Sequence, residues 1–135
     1  DPRLEGPRRR LVFKLGGKRR LPPRPVSTRE MPELPPVTGT PQQIAAGNLT
    51  FANYCSVCHG ASAVSEFSIP DLRYSPVAGN ADAWRGVVID GDRVENGMVS
   101  FGRYITPAQA EEVRQYVLSL ATAQKARMAA ARPAK

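Results

Sequence analysis

A chain of 135 residues has room for one small domain plus extensions, and its formal net charge of +7 at pH 7 sits almost wholly in residues 1–36, which hold ten Lys/Arg and four Asp/Glu. The remaining 99 residues carry nine basic and eight acidic side chains, so the pI near 10.0 describes an arm, and the folded part is close to neutral. No apolar run approaches the roughly 20 residues of a membrane-spanning helix, which excludes such a helix within this sequence.

The basic arm comes first. Arg8-Arg9-Arg10 and Lys18-Arg19-Arg20 are the charge runs that a nucleic-acid contact would use. Neither run contains an aromatic side chain on which bases could stack, so a solvated basic linker is the reading they support. Arg9-Arg10 ahead of Leu11-Val12-Phe13 is not an export signal, because Lys14 cuts the apolar stretch after three residues where about 7–15 are required. A chain beginning at Asp1 rather than methionine reads as a fragment or a processed piece. Residues 10–15 are β-prone and closed by Gly16-Gly17. So short a strand is not stable alone, and it is expected to complete a sheet elsewhere or to be disordered. Prolines at 22, 23, 25, 32, 35, 36 and 41 then predict a semi-rigid, polyproline-like linker containing a domain boundary.

The packed domain opens at Thr40-Pro41-Gln42-Gln43, where Thr40 is the N-cap, Pro41 suits the first helical position and Gln43 completes a capping box. Ile44, Phe51, Cys55 and Cys58 follow one stripe, and Gly47 lies four residues before Phe51, where a glycine lets another helix approach closely. Both cysteines and the only histidine then fall in Cys55-Ser56-Val57-Cys58-His59. This is the spacing of covalent c-type haem attachment. Residues three apart share a helix face, so Cys55 and Cys58 can each form a thioether to one edge of the same macrocycle, with His59 directed at the iron.

Other uses of these residues fit less well. A structural zinc site wants four Cys/His ligands, usually from two separated pairs, and the chain has three. A thiol–disulfide centre activates its thiol at a helix N-terminus. Here the amphipathic run precedes Cys55, which puts the motif near a helix C-terminus. A disulfide between Cys55 and Cys58 would leave His59 without a purpose.

Residues 61–79 show no period and contain Pro70 and Pro76, as expected of a loop wrapping the haem edge. Asn80 caps a second short helix with Trp84, Val87 and Val88 on one face, ended by Asp90-Gly91. A loop over residues 92–105 carries Gly97-Met98. Thr106-Pro107-Ala108-Gln109 repeats the capping box, and Val113, Tyr116, Val117 and Leu120 form the stripe of a third helix. The Ala-rich, basic tail extends that helix or frays. Three helices make a thin core, so the haem is expected to supply apolar surface and the apoprotein to lose tertiary order.

Met/His ligation raises the iron potential and suits electron transfer. Met31 lies in the linker and Met128 in the tail, so Met98 is the expected sixth ligand opposite His59. If Met98 is instead a core filler, the sixth position is open and the haem binds ligands or peroxide. His59 is expected to donate its other ring N–H to the Pro70 carbonyl. Arg73 and the Trp84 indole N–H are candidate partners of the haem propionates; the blander fates are a solvated Arg73 and a merely packed Trp84.

With Gly47, Phe51, Cys55-Ser56-Val57-Cys58-His59, Met98 and Tyr116 in that order, residues 40 to 121 resemble a class I cytochrome c, in which a glycine and an aromatic of the first helix cross an aromatic of the last. A narrower set also resembles the C-terminal end of quinohaemoprotein alcohol dehydrogenases: Leu11-Val12-Phe13-Lys14-Leu15-Gly16-Gly17, the proline linker, Cys58-His59-Gly60, Pro70-Asp71-Leu72-Arg73 and Gly97-Met98-Val99-Ser100-Phe101. The resemblance implies an all-α haem c domain over residues 37–123. Before it would come a basic arm and linker over residues 1–36, with residues 10–17 as the last strand of a β-propeller, and after it a tail over residues 124–135. It further implies pyrroloquinoline quinone (PQQ) only in that absent propeller, electrons passing from the reduced quinone through the haem to a downstream redox protein or quinone, and no alcohol oxidation by this chain alone. Haem attachment of this type takes place outside the cytoplasm, so a periplasmic setting is expected. A free-standing cytochrome c carrier and an open-site haem enzyme are the alternatives.

Overall fold

The computed structural model describes residues 14–18, 20, 30–65 and 69–130, and the chain divides into two compact units, residues 1–30 and residues 31–135. In the first unit the Gly17 N–H donates to the Lys14 carbonyl at 3.0 Å, and Gly16 takes φ +77°, which gives the turn expected at Gly16-Gly17. Residues 10–13 of the expected strand and residues 21–29 of the linker lie outside the described residues.

The second unit holds helices α1 (Pro41–Tyr54), α2 (Ser56–His59), α3 (Ala81–Arg85) and α4 (Pro107–Ala130), joined by short 3-10 turns, and the described residues form no strand. Both long helices begin on the predicted device. At α1 the Gln43 N–H donates to Thr40 Oγ1 and the Thr40 N–H to Gln43 Oε1. At α4 Thr106 and Gln109 make the same reciprocal pair. Each box satisfies backbone donors that a helix start otherwise leaves unpaired.

The two helices cross at Gly47, where a Cβ would run into the Glu112 carbonyl of α4. Next to that contact Phe51 and Tyr116 pack with ring centroids 5.5 Å apart, tilted by 57°. Phe51, Val113, Val117 and Leu118 are fully buried around the crossing, and burying a side chain such as Phe51 contributes about 1.5–3 kcal/mol. α3 starts on Asn80, whose Oδ1 accepts from the Ala83 N–H, and continues as a π-turn over Gly86–Asp90. Trp84 and Val88 are buried on one face, and Gly91 at φ +88° ends the segment.

Three findings bear on the sequence expectations. Cys58 is exposed although Cys55 is buried, so the apolar stripe expected through Ile44, Phe51, Cys55 and Cys58 does not extend to its last member. The compact unit begins at Met31, ahead of the boundary expected at 36/37. Leu34 and Val37 pack against the core, and the N–H groups of Thr38 and Gly39 both donate to Gln115 Oε1 at 2.9 Å. Finally, α4 runs without a break to Ala130, so residues 124–130 continue the helix, with Gln124 buried. Residues 131–135 lie outside the described residues.

Replacing a mid-helix glycine by alanine is worth roughly 0.5–1 kcal/mol in helix propensity, whereas a methyl forced into a close contact costs about 1–3 kcal/mol. Packing wins at the crossing, and Gly47→Ala is expected to lower stability by about 1–2 kcal/mol in chemical denaturation. A second prediction concerns acid. Hydrogen bonds from Arg114 hold the Glu111 carboxyl below the usual glutamate range; partial burial opposes them, and Gln115 and the Arg114 charge add to the lowering. Glu111 therefore favours the folded state above the unfolded-chain value of about 4.3 and loses that effect as pH falls through its lowered value. Its exposure keeps the effect small. Glu111→Gln should lower Tm slightly at pH 7, with the gap to wild type closing in melts below about pH 4.

Candidate haem-binding site

α1 ends at Tyr54, and the Cys55 N–H still donates to the Phe51 carbonyl at 2.9 Å. The Cys55 carbonyl then accepts from the N–H groups of Cys58 and His59, at 3.2 and 2.9 Å, so the motif is one helical turn closed on its own first residue. Gly60 follows at φ +71°, where a Cβ would strike the Val64 carbonyl. Ser62 and Ala63 also take positive φ, and the chain turns back sharply beneath the motif.

His59 is buried, and its Nδ1 lies 3.1 Å from the Pro70 carbonyl oxygen, the partner expected for it. A carbonyl only accepts, so Nδ1 carries a proton in this contact, and in the neutral ring that leaves the lone pair on Nε2. Neither cysteine is in a disulfide. Burial, followed by repulsion from Cys58, pushes the Cys55 thiol up to about 11, so at neutral pH it is protonated and a poor nucleophile. A thiol–disulfide centre requires the opposite shift. Among the described residues no three His, Cys, Asp or Glu side chains gather as a metal-ion site.

The Met98 loop is stitched to the same end of α1. The Tyr54 ring, adjacent to Cys55, lies 6.2 Å from Phe101 and 6.4 Å from Tyr104, and Phe101 and Tyr104 are 6.5 Å apart. Met98 is half-buried against the core, with its N–H on the Arg93 carbonyl at 3.1 Å. The Phe101 N–H donates to the Val88 carbonyl at 2.8 Å. Val57, between the cysteines, is 89% exposed, and Val99, beside Met98, is 58% exposed. Two unpaired thiols on one turn, an imidazole with its inner nitrogen committed, a thioether and uncovered apolar side chains on both segments fit a covalent haem.

Trp84 and Arg73, the expected partners of the propionates, both make hydrogen bonds within the domain. The Trp84 indole N–H donates to the Ala110 carbonyl at 2.8 Å in the interior. Arg73 is buried, makes two side-chain hydrogen bonds to Asp71 at 3.0 and 2.6 Å, and donates through Nη1 to Gln124 Oε1 at 3.1 Å. The reason is burial: an enclosed guanidinium or indole N–H must find an acceptor where it lies. Sequence reasoning missed the Tyr54–Phe101–Tyr104 cluster and the part played by Gln124. For Gln124 a signal existed, since Val113, Val117, Ala121 and Gln124 continue one helical stripe.

The family described as Cytochrome C oxidase, cbb3-type, subunit III matches residues 42–117. Quinohemoprotein alcohol dehydrogenase ADH IIB of Pseudomonas putida is 37% identical over 119 residues, covering 87% of this chain and 17% of that protein. The dehydrogenase subunit of the alcohol dehydrogenase (quinone) of Komagataeibacter europaeus is 31% identical over 111 residues, 82% of this chain and 15% of the subunit. The solved structure of quinohemoprotein alcohol dehydrogenase ADHIIG from Pseudomonas putida HK5 aligns with a TM-score of 0.66 at 34% identity, over 84% of this chain and 16% of that chain. The chain thus spans less than a fifth of the length of these relatives. The family match, the Gly47–Phe51–Tyr116 crossing and the single-turn Cys55–His59 motif agree: the chain belongs to the cytochrome c family described as Cytochrome C oxidase, cbb3-type, subunit III, as a class I cytochrome c domain whose cofactor is haem c.

Proposed function

We propose that this domain transfers electrons through a haem c held by thioethers to Cys55 and Cys58, with His59 and Met98 as axial ligands. In this reading it is the haem-bearing part of a PQQ-dependent alcohol dehydrogenase. Electrons arrive from the reduced quinone of a dehydrogenase domain and leave to a downstream redox protein or quinone. Residues 10–17 would be the last strand of that domain's propeller, the proline-rich segment after it the linker, and the periplasm the compartment. The relatives named above support the parentage, and no described helix is long and apolar enough to cross a membrane.

The observation that carries the ligand assignment is the hydrogen bond between His59 Nδ1 and the Pro70 carbonyl. It fixes the tautomer and the ring plane and makes the imidazole a stronger donor. When bound, the haem supplies a one-electron couple, at a potential raised by Met/His ligation. The chain's own residues keep the geometry from changing between redox states. His59 is held through Pro70, and the Met98 segment is held by backbone bonds to Arg93 and Val88 and by the rings of Tyr54 and Phe101. Phe51 and Tyr116 close the interior against water.

Two measurements test this. Matured chain should carry the mass of one haem through acid–organic extraction, and Cys55→Ser/Cys58→Ser should release all of its colour under the same treatment; covalent haem surviving in the double variant would refute the attachment. The oxidised protein should show a sulfur-to-iron charge-transfer band that Met98→Ala abolishes. The reduced Met98→Ala protein should then bind carbon monoxide at neutral pH, which wild type does not. Carbon monoxide uptake by wild type would make it an open-site haem protein instead.

A further inference from the structure

The segment that carries Pro70 is tied to the far end of α4. Asp71, 3% exposed, accepts from the Arg73 backbone N–H at 3.0 Å, from Arg73 Nε at 3.0 Å and from Nη2 at 2.6 Å. Arg73, 4% exposed, donates through Nη1 to Gln124 Oε1 at 3.1 Å, and Gln124 is 2% exposed. One residue on, the Tyr74 hydroxyl donates to Met128 Sδ at 3.6 Å. A buried ion pair is a poor source of stability, since well-packed apolar side chains in its place are often neutral or better. What it does supply is direction, because a two-point guanidinium–carboxylate contact has a fixed geometry. The group nearest to this fixed point is the Pro70 carbonyl, one residue before Asp71, and that carbonyl is the partner of His59 Nδ1.

We propose that Gln124, Arg73 and Asp71 form a positioning strut that holds the Pro70 carbonyl on His59 and so sets how strongly His59 donates to the haem iron. The strut rests on the reading of His59 as the proximal ligand. Loosening it at Gln124 lets the carbonyl retreat, weakens the hydrogen bond, and makes the imidazole a poorer donor. A poorer donor stabilises ferric iron less, so the reduction potential rises.

The test uses the full haem-loaded chain. Gln124→Met keeps length and removes the acceptor. In the reduced protein its His59 ring N–H, followed by NMR, should exchange with solvent about 10-fold faster than in wild type, and the reduced fraction at a fixed ambient potential should rise. Gln124→Glu, which keeps an acceptor, should restore slow exchange. Thr40→Ala, which weakens the α1 cap elsewhere, should leave exchange at the wild-type rate. If Gln124→Met does not mature, Gln124→Asn, one methylene shorter, is read in the same way. Unchanged exchange and an unchanged reduced fraction, even with a lowered Tm, overturn the strut alone. A wild-type chain without covalent haem overturns the site and the strut together.

Discussion

Everything in the second unit is arranged around the place where α1 and α4 touch backbone to backbone at Gly47 and Glu112. Without a side chain at that point, α4 lies close enough for Tyr116 to reach Phe51, and the end of α1 is aimed at the position where Cys55 begins its single turn. α4 then supports several of the segments outside it. Gln115 receives Thr38 and Gly39, the Arg114 guanidinium donates to the Ala78 carbonyl, the Ala110 carbonyl receives Trp84, and Gln124 receives Arg73.

That division of labour explains why α4 buries Arg114, Gln115 and Gln124 beside Val113, Val117 and Leu118. The loops around the motif lack regular ladders, and their buried polar groups must still be satisfied. Long side chains on a rigid helix do this at a distance. No buried side-chain nitrogen or oxygen among the described residues is left unpaired. A small domain with few apolar residues to spare thus orders its loops with polar contacts and uses its apolar faces for the helix crossing.

What could be read from the sequence was the chemistry that is local in the chain. The two capping boxes, the Asn80 cap, Gly91 and the Cys55-to-His59 turn each depend on residues within five positions of one another. Gly47, Phe51 and Tyr116 were legible through the family pattern, and Pro70 through the need of His59 for a carbonyl. The acceptors that Arg73 and Trp84 find on α4, Gln124 and Ala110, were not legible because they lie 51 and 26 residues away. Residues 31–36 were read as part of a linker from their prolines, yet prolines do not prevent an extended strip from packing, and Leu34 packs against the core.

The contact of that strip with Gln115 has a mechanical consequence. Two adjacent amides share one side-chain oxygen, just before the Thr40 cap, and Glu33 pairs with Lys125 further along the same helix. Tension applied to the chain at residue 31 is therefore delivered sideways into the middle of α4 instead of peeling α1 from its first turn. The haem turn, at the opposite end of α1, is insulated from such a pull by the whole length of the helix.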